Sequence, residues 1–464
     1  MKILTEEANS LTMTDTIVAL ATPHSQSALG IIRISGIKAL KISKEACGVL
    51  CPTPRYAHLT KYKSIKNEVL DQIIMVYYEK GKSFTSENCL ELTCHGNPFL
   101  TEQILSDLLN RGCRLANPGE FTYRAFANGK IDLTQAEAIA DLIGAKNKQA
   151  LMLANKNLDG NLTKKIRQIQ SRILAQQSNI EAFIDFPEDD LGDEKKDGQV
   201  INALNDISSE LKKLIEIGKK INVFNRCLKV VLVGPPNVGK SSIFNKIIGI
   251  DRAIVNPEAG TTRDFIDYKI NLGKITIQLH DTAGIRPVEN QIEEAGIKKT
   301  HILIQDADLT LIVFDRSMPY PSKIDKEIIL KVKNKKCIFI LSKSDLPRVV
   351  DLSESSFRNY KTKMVSIDDN KSIVSLINLI QELLLKESTI ENEFNMSVNL
   401  RQSSALIKSR DAIQRSIKIL EDKDGSEFSV PDLKDAILNL NYVVEKKDHE
   451  DMLDILFSNF CIGK

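Results

Sequence analysis

A chain of 464 residues with 63 Lys plus Arg against 61 Asp plus Glu carries a formal net charge of +2, and 42% of it is hydrophobic. That length predicts about three domains, each able to bury its own core. A pI near 8.0 excludes a protein that grips nucleic acid by overwhelming positive charge, and zero Trp with 5% aromatic residues argues against a stacking platform for single strands. No apolar run approaches the roughly 18 residues of a membrane span. Glu6 and Glu7 stand where a secretory leader would be apolar, so the expected location is cytoplasmic. Eight cysteines without a C-x-x-C pair read as free thiols of a reducing compartment. Cys94 beside His95 does not make a metal site, because adjacent residues seldom reach one ion.

Along the chain, residues 14–130 mix β-branched runs such as Ile31–Ile34 and Ile73–Tyr78 with Gly and Pro punctuation, the pattern of an α+β domain. From about 131 the period turns helical. Leu151, Leu158, Leu162, Ile166, Ile169, Ile173, Ile180 and Ile184 step by three, four or seven and predict one long amphipathic helix. A charged break over 188–197 reads as a solvated loop, and Ile207, Leu211, Leu214 and Ile221 resume the helical period. Between about 229 and 385, apolar strands (KVVLVG, ITIQLHD, LTLIVFD, KKCIFILS) alternate with helical or loop sequence, which predicts a parallel sheet with helices on both faces. The helical period then returns at Leu406, Ile413, Ile417 and Leu420, and again at Leu433, Ile437, Leu440 and Val444. Each helical half has an apolar face that needs a partner, so one all-α domain with an α/β domain inserted into it is expected in preference to two separate helical domains. The expected boundaries are 1–130, 131–224, 225–385 and 386–464.

Gly234-Pro235-Pro236-Asn237-Val238-Gly239-Lys240-Ser241 matches G-x-x-x-x-G-K-[ST] between a strand and a helix. Such a loop turns its backbone N–H groups toward phosphates, and the helix N-terminus adds its positive dipole end. Lys240 is placed to reach the β- and γ-phosphates, and the Ser241 hydroxyl to ligate Mg²⁺. Three segments follow in order. Gly260-Thr261-Thr262-Arg263-Asp264 offers Thr262 as a second hydroxyl for the metal. Asp281-Thr282-Ala283-Gly284 ends a strand, so that Asp281 can hold the magnesium shell and the Gly284 N–H can sense the γ-phosphate. Ser342-Lys343-Ser344-Asp345 closes another strand, where Asp345 can accept two N–H bonds from guanine. The four together resemble a Ras-like P-loop GTPase. The chain departs from that pattern at Ser342, where N-K-x-D has Asn, and at Ile285, where Ras-like enzymes carry a water-positioning Gln.

Further stretches carry a closer likeness: Gly30-Ile31-Ile32-Arg33-Ile34-Ser35-Gly36, the run from Pro118-Gly119-Glu120-Phe121-Thr122 through Gln135-Ala136-Glu137-Ala138, and the terminal Phe460-Cys461-Ile462-Gly463-Lys464. With them the whole chain resembles the tRNA-modification GTPases that build an aminomethyl-type group on carbon 5 of wobble uridine. The resemblance implies an N-terminal domain that dimerises and binds 5-formyl-tetrahydrofolate or a related folate, with Arg33, Glu91, Lys130 and Lys464 as ligands. It implies nucleotide contacts from Asn237, Val238, Gly239, Lys240, Ser241, Ser242, Asn256, Thr261, Thr262, Asp281, Thr282, Ala283, Gly284, Lys343 and Asp345. Magnesium falls to Ser241 and Thr262, and potassium to Asn237, Asn256, Glu258 (through its carbonyl) and Thr261. Glu293 takes over the water-orienting role that Ile285 cannot fill, beside Lys240 and Thr262 in catalysis. Cys461 marks the family, with no role assigned. The loop His24–Gly30 lacks two glycines and an arginine of the family pattern.

The implied partners are a second copy of the chain, an FAD-dependent subunit completing a heterotetramer, and tRNA. The chain itself has no G-x-G-x-x-G dinucleotide site. Its near-neutral charge predicts weak tRNA binding by this chain alone, with a shallow salt dependence. The competing reading is a non-enzymatic GTP switch in ribosome assembly or translation, which would have no use for folate.

Overall fold

The computed structural model describes residues 15–185, 193–225, 227–249, 267–273, 275–281, 303–318, 335–347, 349, 360–385, 395–422, 425–445, 453, 456–458, 460 and 463. They divide into two compact units: Met1–Ala140 with Thr163–Gln170 and Ile437–Lys464, and Asp141–Leu162 with Ser171–Ala436.

In the first unit the chain runs β1 (Ile17–Leu20), β2 (Leu29–Ser35), α1 (Ala39–Cys47), β3 (Ala57–Lys63), β4 (Val69–Tyr78), β5 (Cys89–His95), α2 (Pro98–Asn110), β6 (Arg114–Leu115), α3 (Glu120–Ala127) and into α4 (Leu133–Gly144). The strands form one sheet in the order β3-β4-β5-β2-β1-β6, antiparallel apart from the short β1–β6 pair. Alternation along the strands sorts the side chains. Ile32, Ile34, Met75, Leu90 and Leu92 are fully buried and pack with Ile42 of α1 and with Ile104 and Leu108 of α2. Each such side chain contributes roughly 1.5–3 kcal/mol through burial. Arg33 pairs with Glu91 in the β2–β5 register, so both stand on the opposite face. That face also carries Leu29, Leu59 and Ile74, which are exposed.

The P-G-E-F-T-Y-R run folds as α3 and buries both of its charges, Glu120 at 4% and Arg124 at 3% exposure. Glu120 accepts from Arg124 Nη2 at 2.9 Å, Arg114 Nη2 at 2.7 Å and the Asn117 N–H at 2.8 Å. Arg124 also reaches Asp15 and Glu87. The C-terminal Phe457 and Phe460 join Phe126, Leu133 and Ala136 in a small apolar cluster. The adjacent Cys94 and His95 are separately engaged: Cys94 Sγ with the Gly30 carbonyl, and the His95 ring with Asp71.

The second unit continues with α5 (Lys148–Leu158), α6 (Asn161–Asp185), α7 (Asp193–Asn225), β7 (Leu228–Val233), α8 (Lys240–Gly249), β8 (Asp267–Leu272), β9 (Ile275–Asp281), β10 (Leu309–Asp315), β11 (Cys337–Ser342), β12 (Lys361–Met364), α9 (Asn370–Leu385), α10 (Leu400–Asp422) and α11 (Val430–Val444). Thr163–Gln170 of α6 and the end of α11 belong to the first unit. The sheet order is β12-β11-β10-β7-β9-β8, parallel except for the β8–β9 hairpin. The strands β7, β9, β10 and β11 coincide with the apolar runs read from sequence. β8 and β12 are additional. Every residue of β10 and β11 is buried, as expected of central parallel strands. α7 packs along α10, and the Asn271 amide on β8 donates to the Lys146 carbonyl just before α5 at 2.8 Å.

Two expectations are corrected. The helix predicted from Leu151 to Ile184 is two helices, because Gly160 adopts φ +79° and ends the first. Leu162, Ile166, Ile169, Ile173 and Ile180 are buried as read, whereas Leu151 and Ile184 at its ends are exposed. The charged break does not run to 197, since α7 begins at Asp193; residues 188–192 lie outside the described ones.

Candidate functional site

The end of β7 leads into the phosphate-type loop through Gly234, whose φ is +152° and where a Cβ would lie 2.3 Å from the Val313 carbonyl oxygen on β10. Only glycine lets the loop leave the sheet this close to its neighbour. Asn237 at φ +64° and Gly239 at φ +94° then turn the backbone into α8, Asn being a residue that tolerates the left-handed region. Lys240 opens α8 and is 7% exposed. Its ammonium curls back to donate to the Gly234 carbonyl at 2.9 Å and the Pro235 carbonyl at 2.6 Å. Ser241 and Ser242 follow on the first turn with exposed side chains. A lysine folded over a loop at a helix N-terminus concentrates positive potential where an anion would sit.

Next to this loop, at the C-terminal end of the same sheet, lies the Ser342–Asp345 segment. Ser342 is 1% exposed, and its hydroxyl lies 2.6 Å from the Val238 carbonyl of the phosphate loop and 3.0 Å from the Phe314 carbonyl. The Lys343 ammonium pairs with Asp315 Oδ2 at 2.5 Å. Asp345 is exposed, and its Oδ1 accepts from the Ser366 hydroxyl at 2.8 Å. Asp281 closes β9 opposite Leu232 of β7. The loop after β7 and the ends of β9 and β11 are thus gathered on one sheet.

In the first unit Arg33 donates to Glu91 Oε1 from Nε at 2.9 Å and from Nη2 at 2.7 Å. Tyr78 holds the other carboxylate oxygen at 3.2 Å. The Arg33 guanidinium lies 5.8 Å from the Phe121 ring centroid and donates to the Gly463 carbonyl at 3.2 Å. Gly463 therefore meets the β2–β5 pair. Lys130 has its ammonium on the Gly81 carbonyl at 3.2 Å, in the β4–β5 connection.

Family models match both parts of this geometry. The model described as GTP-binding protein TrmE N-terminus covers residues 16–130, and the one described as MnmE helical domain covers residues 133–461. The chain belongs to the MnmE family. Relatives named tRNA modification GTPase MnmE include that of Opitutus terrae, 37% identical over 97% of this chain and 99% of its own length, and that of Aquifex aeolicus, 37% identical over 97% and 100%. The Sulfurovum relative of the same name is 36% identical over 97% and 99%. Among solved structures, the G domain of the T. maritima FeoB iron transporter is 22% identical over 35% of this chain and all of that chain, with a TM-score of 0.27.

Of the site residues expected in this MnmE-family chain, the structure gathers Asn237, Val238, Gly239, Lys240, Ser241 and Ser242 in one loop and helix start, beside Lys343. It also joins Arg33 to Glu91. Asn256, Glu258, Thr261, Thr262, Thr282, Ala283, Gly284, Glu293, Cys461 and Lys464 lie outside the described residues. Among the described residues, no group of three or more His, Cys, Asp or Glu gathers as a metal site, and no helix is long and apolar enough to cross a membrane.

Sequence reasoning missed Asp315 and Ser366. Asp315 carried a signal, since it ends the apolar run LTLIVFD as Asp281 ends ITIQLHD. Ser366 carried none, because it follows a short, half-exposed edge strand. Ser342, read only as a departure, ties two parts of the site together.

Proposed function

We propose that this MnmE-family GTPase binds GTP between its phosphate loop and the Ser342–Asp345 segment and hydrolyses it in the service of tRNA modification. The reaction served is the addition of an aminomethyl-type group to carbon 5 of wobble uridine in the cytoplasm. A formyl-tetrahydrofolate-derived one-carbon unit supplies the added carbon, and an FAD-dependent subunit, joined to a homodimer of this chain as a heterotetramer, supplies the redox chemistry. The GTPase segment, residues 225–385, is taken as an insertion between helical parts 131–224 and 386–464, behind the N-terminal domain 1–130.

The observation that carries the reading is the Lys240 ammonium folded over the Gly234 and Pro235 carbonyls at the start of α8. On that loop the Ser241 hydroxyl is a hard oxygen donor of the kind Mg²⁺ takes, and the Asn237 amide offers a neutral oxygen that suits K⁺. Thr262 would complete the magnesium set, and Asn256, Glu258 and Thr261 the potassium set. Bound cations neutralise the charge that builds on the phosphates. Glu293 orients the attacking water. For folate, the anionic glutamate tail suits Lys130 or Lys464, while Glu91 retains lone pairs for pterin N–H donors beyond those spent on Arg33 and Tyr78. The exposed apolar face bearing Leu29, Leu59 and Ile74 supports pairing of two N-terminal domains through their sheets.

GTP turnover in matched potassium and sodium buffers tests the cation assignment, with faster turnover expected in potassium and equal rates overturning it. Glu293→Ala is expected to retain GTP affinity and lose turnover. Full activity would remove Glu293 from the mechanism.

A further inference from the structure

In N-K-x-D sites the residue before the lysine brings an amide to the base-binding loop. Here that position is Ser342, and its side chain is turned into the protein. It is 1% exposed, with its single hydroxyl proton directed at the protein carbonyls of Val238 and Phe314. Recognition of the base therefore falls on the residues that follow it, and the structure holds those residues from β10.

Asp315, the last residue of β10, is buried, its side chain 3% exposed, and takes the Lys343 ammonium on Oδ2 at 2.5 Å. Its Oδ1 accepts the Ser317 N–H at 2.9 Å and the Ser317 hydroxyl at 2.6 Å, so the carboxylate cannot swing away. The next residue, Arg316, donates its backbone N–H to the Ser342 carbonyl at 3.1 Å and its Nη1 to the Ser344 carbonyl at 2.7 Å. Lys343 itself sits at φ +52°, a conformation that side-chain-bearing residues adopt only when their surroundings enforce it. Burial alone would push the Asp315 carboxyl up, yet the hydrogen bonds from Lys343 and Ser317 hold it below the ordinary aspartate value, so it is charged.

We propose that Asp315 is a positioning residue for the guanine base: by fixing Lys343 it holds the loop that presents Asp345, and so sets the preference for guanine in a chain whose Ser342 offers the base nothing. This rests on the GTP site proposed above. The aliphatic stem of Lys343 offers apolar surface to a purine ring, and the exposed Asp345 carboxylate, steadied on one oxygen by Ser366, supplies the acceptor that guanine N–H groups require and adenine cannot satisfy.

The test compares KM and kcat for GTP and ATP in the full-length wild type, Asp315→Asn, Asp315→Glu, Lys343→Met and the double variant Asp315→Asn/Lys343→Met. Asp315→Asn should raise KM for GTP about tenfold, with a much smaller change in kcat, and lower the GTP-over-ATP preference by a similar factor. Asp315→Glu, which keeps the charge, should recover part of both. The double variant should bind GTP no worse than Lys343→Met alone. Additive losses in the double variant, or an unchanged nucleotide preference in Asp315→Asn, would overturn the assignment. A wild type that does not turn over GTP would instead refute the site reading itself.

Discussion

The Ser342 hydroxyl ties the end of β11 to the phosphate loop through the Val238 carbonyl, 2.6 Å away. The contact is buried, so its removal is not made good by water. Ser342→Ala leaves the Val238 carbonyl without that donor and is expected to cost about 1–2 kcal/mol in urea unfolding, with weaker GDP binding in the same direction. An unchanged midpoint together with unchanged affinity would remove the tether from the account of the site.

The Arg33–Glu91 pair makes a second prediction. Both side chains are about three-quarters shielded from solvent and stand on the sheet face away from the core. Charge-assisted contacts to a ligand are worth about 1.5–3 kcal/mol each, roughly a tenfold to hundredfold change in affinity. Calorimetric titration with 5-formyl-tetrahydrofolate should therefore show Arg33→Ala and Glu91→Ala weakened at least tenfold, with circular dichroism confirming that each variant folds. Undiminished binding by both would exclude this pair as the folate site, and no folate binding by the wild type would move the reading toward a GTP switch.

A third prediction concerns pH. Burial pushes the Glu120 and Asp15 carboxyls up, but Arg114, Arg124 and, for Glu120, the Asn117 N–H outweigh it. Both carboxyls fall below their ordinary values of 4.5 and 3.8. A carboxyl depressed in the folded state contributes stability above its unfolded value, and that stability is lost as pH falls through the folded value. Stability should hold from neutral pH down to about 4.5 and decline below it. Glu120→Gln removes the negative charge between Arg114 and Arg124 and turns one of its two acceptor oxygens into a donor, which should cost about 3 kcal/mol at pH 7. Denaturant titrations from pH 7 to 3 should show a shallower acid decline in the variant, and parallel curves would separate acid sensitivity from this cluster.

The strand-ending phosphate loop and the four apolar strands of the second sheet were readable because parallel core strands must be apolar along their length and the loop's glycines have few alternatives. The helical periods were readable for the same reason, a buried stripe recurring along the chain. Periodicity did not register the break at Gly160, since the stripe continues in step across it. β12 was not legible either: it is a short edge strand with an alternating half-exposed pattern, and only β11 beside it makes it a strand.

By itself, the sequence determined the kind of chemistry, the order of its parts and the family, since motif residues carry their meaning through spacing and type. Only tertiary structure decided which charges meet. Arg33 finds Glu91 because two strands 58 positions apart pair in register, and Lys343 finds Asp315 because β10 and β11 run parallel and end together. It also turned Ser342 from a missing amide into a tether, because what a buried hydroxyl does depends on which carbonyl the fold places beside it.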